Sequence, residues 1–258
     1  MKNPPVREPE PVTTCRSIVK PGEYMVLPAN DRIVSSIRYL PDVGVQVMAS
    51  PELGAAFVQY ELLVPPATGT SRAIADEFEH FLFMLEGEAE LEAMGRQHAM
   101  RSGSYAWLPP GEAFGFHNRS SLLSRLIWVR RRYEGDEELP VPGPIISHEE
   151  SIAPVLHPVC DTRYLLPLET LSFDMSMSIL SFQPGSFFST PETHAMEHGL
   201  YMLEGAGIYW LNGDYVDVKA GDFVYMAPYC PQAFFVTGHD FTRYLLYKDW
   251  NLDYTEYL

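Results

Sequence analysis

Displaced by 118 residues, the chain lies over itself: His80-Phe-Leu-Phe-Met-Leu-Glu-Gly87 falls on His198-Gly-Leu-Tyr-Met-Leu-Glu-Gly205. The register holds without a gap, with Gly95 on Gly213, Gly103 on Gly221, Pro110 on Pro228 and Phe116 on Phe234, and upstream with Pro66 on Pro184. A fixed offset kept over such a length means that one folding unit has been duplicated. Whatever architecture the chain adopts, it has to be one that can be built twice. The 258 residues leave room for two compact domains of about 100 residues each.

Each copy is made of short runs rich in Val, Leu, Phe and Tyr. Turn signals divide them, among them Glu86-Gly87, Pro109-Pro110-Gly111, Asn212-Gly213-Asp214 and Ala220-Gly221-Asp222. No long stretch has a helical period. The pattern predicts an all-β fold with a closed antiparallel barrel or jelly roll in each half, because closure protects the strand edges. The resulting division is an extended N-terminal arm over 1–15, with Pro4, Pro5, Pro9 and Pro11, a first domain over 16–133 and a second over 134–258. The run Arg130-Arg131-Arg132, followed by Glu134, Asp136, Glu137 and Glu138, reads as a solvated linker between them.

The second copy carries the chemistry, in Glu192-Thr-His194-Ala-Met-Glu-His198, with Gln232 thirty-four residues beyond His198. Positions 192, 194 and 198 share parity, and side chains of one parity project from one face of a strand. On a helix His194 and His198 would also share a stripe. The following Gly199 and the short apolar run Leu200–Leu203, closed by Glu204-Gly205, favour the strand. Two imidazoles, a carboxylate and an amide carbonyl form a nitrogen and oxygen set that suits a divalent ion of intermediate hardness, manganese or iron rather than structural zinc. Four protein ligands on an ion that prefers six leave two positions for water or substrate. Glu197, of opposite parity, is expected to face outward. In the last strand, Arg243–Lys248, Tyr244, Leu246 and Lys248 share a face. A lysine beside an apolar Leu246 calls for an anion, from the protein or from a substrate carboxylate, unless it reaches solvent at the strand end.

These spacings resemble the two cupin motifs, Gly-x5-His-x-His-x3-4-Glu-x6-Gly and Gly-x5-Pro-x-Gly-x2-His-x3-Asn. The resemblance implies two tandem jelly-roll barrels, a bicupin. In the second half Glu192 stands where the first motif has its first His, His194 matches the second His, His198 stands at the Glu, and Gln232 at the last His. Ala227, Tyr229 and Val236 replace the second motif's Pro, Gly and Asn. The first half keeps Gly103, Pro109, Gly111 and Asn118, yet its counterparts of the four ligands are Ile74, Asp76, His80 and Phe114. Ile and Phe bind no metal, so the first barrel is expected to be structural and His80 a satisfied polar residue.

A net charge of −16 disfavours binding to nucleic acid. Cys15, Cys160 and Cys230 form neither a disulfide pattern nor a Cys-x-x-Cys motif, which points to a reducing compartment, the cytoplasm. No run is apolar for the length of a membrane span. Cys230, two residues from Gln232, is either a wall of the site or a small buried hydrophobe.

Within the cupins, the chain from about Arg16 to Asp249 resembles the (S)-ureidoglycine aminohydrolases. The features that match are Glu192-Thr-His194-x3-His198-Gly199 with Gln232, the upstream Phe173-Asp-Met-Ser-Met-Ser-Ile-Leu-Ser-Phe-Gln-Pro-Gly185, and Tyr244-x3-Lys248. The resemblance implies a manganese-dependent enzyme of purine (allantoin) degradation that hydrolyses (S)-ureidoglycine to (S)-ureidoglycolate and ammonia. It implies Glu192, His194, His198 and Gln232 as metal ligands, and Tyr209, Tyr244 and Lys248, with Glu192 and Gln232, against a carboxylate-bearing substrate. Glu192 and Lys248 would carry the catalysis. Bicupins commonly self-associate, so a homo-oligomer is expected. The alternatives are another metal-dependent cupin enzyme, such as a dioxygenase using Fe2+, and a non-enzymatic bicupin that binds a small ligand.

Overall fold

Alternation splits the strand Phe57–Val64 between two interiors: Phe57 joins the cluster between the halves, with Gln59 and Glu61 of the same parity buried, whereas Leu62 and Val64 join the core of the first half. In the computed structural model, residues 15–136, 138–168 and 170–250 are described. All but Cys15 of the expected arm lies outside them, as does Glu137. The order of strands across the large sheet of the first half is Ile145–His148, Ser104–Leu108, Phe78–Glu86, Ser124–Arg132, Phe57–Val64, Leu40–Ala49 and Ser35–Ile37. A three-stranded sheet, Gly115–His117, Glu88–Ala93 and Arg96–Arg101, completes that barrel. The second half repeats the plan. Its large sheet runs Ile18–Lys20, Tyr24–Leu27, Phe223–Met226, His198–Glu204, Thr242–Asp249, Met175–Phe182, Asp161–Tyr164 and Val155–Leu156, and its small sheet is Asp214–Lys219, Ala206–Leu211 and Gln232–Val236. No helix among the described residues is long and apolar enough to cross a membrane.

Strand pairing crosses the linear division at 133/134 in both directions. Tyr24–Leu27, from the first half, pairs with Phe223–Met226, and Ile145–His148, from the second, pairs with Ser104–Leu108. Each half thus covers a strand edge of the other that would otherwise present unpaired backbone groups. The duplication also survives in the backbone where side chains have diverged. Left-handed residues recur at Met94 (φ 54°) and Asn212 (φ 45°), and at Gly111 (φ 80°) and Tyr229 (φ 63°). The last pair matters because a bulky residue in that conformation is strained by about 1–3 kcal/mol.

Each barrel encloses its own apolar cluster, around Trp128 and Phe116 in the first and around Phe182 and Phe234 in the second. A third cluster lies between the barrels, with Phe57, Trp107 and Ile127 packing against Tyr201, Phe223 and Tyr247. Polar groups are buried within it in repeat-related pairs. Trp107 Nε1 donates to Glu79 at 2.9 Å, and Tyr225 Oη, at the equivalent position, donates to Glu197 at 3.1 Å.

Two expectations are corrected here. Glu197 does not face solvent: it is 2% exposed, and both its carboxylate oxygens accept from the Ala56 N–H of the first half, at 3.1 and 3.0 Å. Parity correctly turned it away from the ligands, but the opposite face of that strand is the interface between barrels. Nor is the arginine run a solvated linker. It ends the strand Ser124–Arg132, whose alternation puts Arg131 into the interface, bonded to Tyr247, while Arg130 pairs with Asp76 at 2.9 Å and exposed Arg132 with Glu77 at 3.2 Å.

Burial pushes the Glu79 carboxyl up to about 8. Folding therefore raises its proton affinity, so its contribution to stability is full below its ordinary value of 4.5 and is lost as pH rises through about 8. Glu79→Gln keeps an acceptor for Trp107 and removes the ionisation. By calorimetry the wild-type melting temperature is expected to fall between about pH 5 and pH 8.5, and the variant's to fall by a few degrees less. Identical pH profiles would contradict the assignment.

Candidate metal centre

His198 opens the strand His198–Glu204, between Met226 on one neighbour and Lys248 on the other. Glu192 and His194 are not on that strand, which corrects the parity argument. The chain bends at Ala195 and Met196, and Pro191 has no N–H to give to a ladder. The loop is tied down by another route. Glu192 and Gln232 form an isolated bridge with reciprocal backbone hydrogen bonds of 2.8 and 2.9 Å, and the N–H of left-handed Tyr229 donates to the His194 carbonyl at 2.6 Å. These bonds bring Glu192, His194, His198 and Gln232 onto one cavity of about 60 Å³, which Tyr209, Tyr244 and Lys248 also line.

The two imidazole rings lie 5.2 Å apart, and His194 Nε2 is 3.4 Å from Glu192 Oε2. Among the described residues, no three His, Cys, Asp or Glu side chains are drawn together tightly enough to hold an ion as they stand. The arrangement has a fixed part and an adjustable one. His198 is 3% exposed on its strand, whereas the Glu192 and His194 side chains, 47% and 26% exposed, stand on the loop at the mouth.

Comparison with the first barrel tests whether these residues fit a metal. There His80, the counterpart of His198, has both ring nitrogens engaged, by Asp76 at 2.9 Å and by Trp128 Nε1 at 3.2 Å, with Phe114 packed against it. It is the satisfied polar residue the sequence led us to expect. In His198 both ring nitrogens are buried and neither makes a well-formed hydrogen bond among the described residues, with only a weak interaction from the Met196 backbone. An unpartnered buried polar group is costly, and a metal ion is a partner that a neutral imidazole can take. Burial, with the Lys248 ammonium, holds His198 well below the usual imidazole range, and the same causes lower His194, opposed by Glu192. Both rings are therefore neutral near pH 7, the form that ligates. The residues fit the ion.

Lys248 has no hydrogen bond or ion pair among the described residues, and burial lowers its pKa, partly offset by Glu192. Tyr209 and Tyr244 are 2% and 3% exposed, and burial raises both phenols, so both stay protonated. Cys230 is buried but is not a wall of the cavity, and burial pushes its thiol up to about 11. Sequence reasoning missed the apolar walls Leu180 and Phe188. Leu180 was within reach of the parity rule, since it pairs directly with Tyr244. Phe188, on an irregular loop, gave no signal.

Two repeat-related barrels of two sheets each, with a polar site in the bore of the second, define a bicupin. A family model described as a cupin domain matches residues 60–130 and again 178–247. The (S)-ureidoglycine aminohydrolase of Escherichia coli K12 is 31% identical over 242 residues, 92% of each chain. That of Arabidopsis thaliana is 33% identical over 211 residues, 79% of this chain and 68% of the relative. The crystal structure of E. coli protein Ylba superposes with a TM-score of 0.85 at 30% identity, covering 93% of this chain and 96% of that one. The chain belongs to the cupin family and, within it, to the family of the (S)-ureidoglycine aminohydrolases.

Manganese added to metal-stripped protein is expected to raise the melting temperature, because an ion that binds only the folded state stabilises it. His198→Ala is expected to abolish that increment while the metal-free melting temperature changes by only a few degrees. An undiminished increment in the variant would remove His198 from the ligand set.

Proposed function

We propose that the second barrel is the active site of an enzyme that releases ammonia from (S)-ureidoglycine, giving (S)-ureidoglycolate. The observation that carries this reading is Lys248, a cation whose side chain has no hydrogen bond or ion pair among the described residues, on the wall of a small cavity shared with two imidazoles and two phenols. The family relationship supports the same substrate, which bears one carboxylate and has its amine and ureido groups on one carbon.

Lys248 Nζ donates a charge-assisted hydrogen bond to the substrate carboxylate, and Tyr244, with Tyr209 beside it, donates a neutral one. Anchoring the carboxylate in this way turns one face of the reacting carbon towards Glu192, which accounts for a single stereoisomer. Glu192 takes a proton from the attacking water and passes one to the departing amine. The carbon–nitrogen bond breaks as the carbon–oxygen bond forms, and ammonia leaves. Glu192, His194, His198 and Gln232 would hold manganese, or alternatively Fe2+, which when bound supplies Lewis acidity beside the reacting carbon. The unpaired cysteines support placing the enzyme in the cytoplasm. The exposed edge strand Val155–Leu156 supports self-association into a homo-oligomer.

Purified protein given freshly generated ureidoglycine is expected to release ammonia without consuming oxygen, faster with added manganese. Lys248→Met is expected to raise KM roughly tenfold or more, the loss of a hydrogen bond to a charged group. Oxygen uptake would favour a dioxygenase instead, and an unchanged KM would remove Lys248 from carboxylate binding.

A further inference from the structure

Resting on that reading of Lys248, we infer that Arg131 of the first half is a positioning residue for it, acting through Tyr247 and Asp249. The strand Thr242–Asp249 turns Tyr244, Leu246 and Lys248 to the cavity, and Leu245 and Tyr247 to the core between the barrels. Lys248 is the last residue of this strand to be paired on both sides; beyond it the neighbour on one side is lost, while on the other the Trp250 N–H still donates to the Asp174 carbonyl at 2.7 Å. On the side of the ligand strand the ladder ends at the pair His198 and Lys248, and only Met175, on the other side, pairs with Asp249. Strand ends fray unless something besides the ladder holds them. The two residues that flank Lys248 are both held from behind by one guanidinium. Arg131 Nη1 lies 3.3 Å from Tyr247 Oη, to which it donates, and 3.8 Å from Asp249 Oδ2.

The surroundings make this hold hard to replace. Arg131 and Asp249 are 7% and 4% exposed; the Asp249 carboxylate also feels the Glu197 backbone, and its Oδ1 has no hydrogen-bond partner among the described residues. Glu79, Asp174 and Glu197 are buried nearby and feel the same guanidinium or one another. Removing one member of a buried pair leaves the other charge uncompensated.

The repeat sharpens the assignment. Residues 131 and 249 are equivalents at the 118-residue offset, as are Arg130 and Lys248. Duplication begins with the same residue at both members of a pair, and here the two have diverged to opposite charges that face each other. Arg130, meanwhile, is spent within the first half on Asp76 and Tyr39. The first barrel's cation is thus bonded internally, while the second barrel's has no side-chain hydrogen bond among the described residues and is braced from behind.

The test is a double-mutant cycle in the full chain. Its probe is ureidoacetate, which keeps the ureido and carboxylate groups and lacks the leaving amine, with the dissociation constant read by calorimetry. Arg131→Met is expected to weaken binding about tenfold, and Tyr247→Phe to weaken it less and in the same direction. In a Lys248→Met background neither is expected to weaken it further, because a residue that acts through Lys248 has nothing left to position. Unchanged affinity in Arg131→Met, or a loss that persists in full without Lys248, would overturn the inference. If Arg131→Met does not fold, the Tyr247→Phe cycle decides by the same two criteria. Unchanged affinity in Lys248→Met alone would instead overturn the carboxylate reading, and the positioning role with it.

Discussion

A buried histidine whose ring nitrogens lack a well-formed hydrogen bond among the described residues is the constraint on which the second barrel turns. His198 is held there by a strand paired on both sides and by Gly199, where an added Cβ would come within 2.6 Å of the Phe57 ring of the first half. The backbone is fixed on both sides, so a partner for the ring is met from the cavity. The loop that carries Glu192 and His194 is fixed in backbone and open in side chain, which suits groups that close on an ion. A metal bound there would receive one rigid ligand from the sheet and adjustable ones from the rim.

The first barrel shows what the same backbone becomes when the constraint is relieved internally. Asp76 stands at the position of His194 and bonds both His80 and Arg130, and Phe114 fills the place of Gln232. Charge is neutralised, and the Phe114 ring packs against His80 and Trp128. The half without a ligand set still serves the other, since Phe57, the Ala56 N–H and Arg131 all press on the rear of the strands that carry His198 and Lys248. Strands are exchanged across the division as well, so the two barrels form one structural unit.

Most of the architecture was legible because it rests on periodicity. The duplication, the turns and the inward faces of Tyr244, Leu246 and Lys248 follow from spacing alone. The four residues of the candidate centre were also legible, although for a reason that did not hold in detail. Parity presumed a continuous strand from Glu192 to His198, where the structure has a bridge to Gln232 and a bend. Burial at the interface was not legible. A rule of alternating faces says that Glu197 and Arg131 turn away from their own barrel, and it cannot say whether water or a second barrel waits there. Tyr229 was legible as the occupant of a motif glycine position, but that it keeps the left-handed conformation of Gly111 is visible only in the backbone.

The function proposed above needs one divalent ion per chain, bound in the second barrel. Crystals grown with manganese and measured at its absorption edge would reveal it. A single anomalous peak per chain is expected, bounded by Glu192, His194, His198 and Gln232. A peak beside His80 in the first barrel, or none within reach of His198, would contradict it.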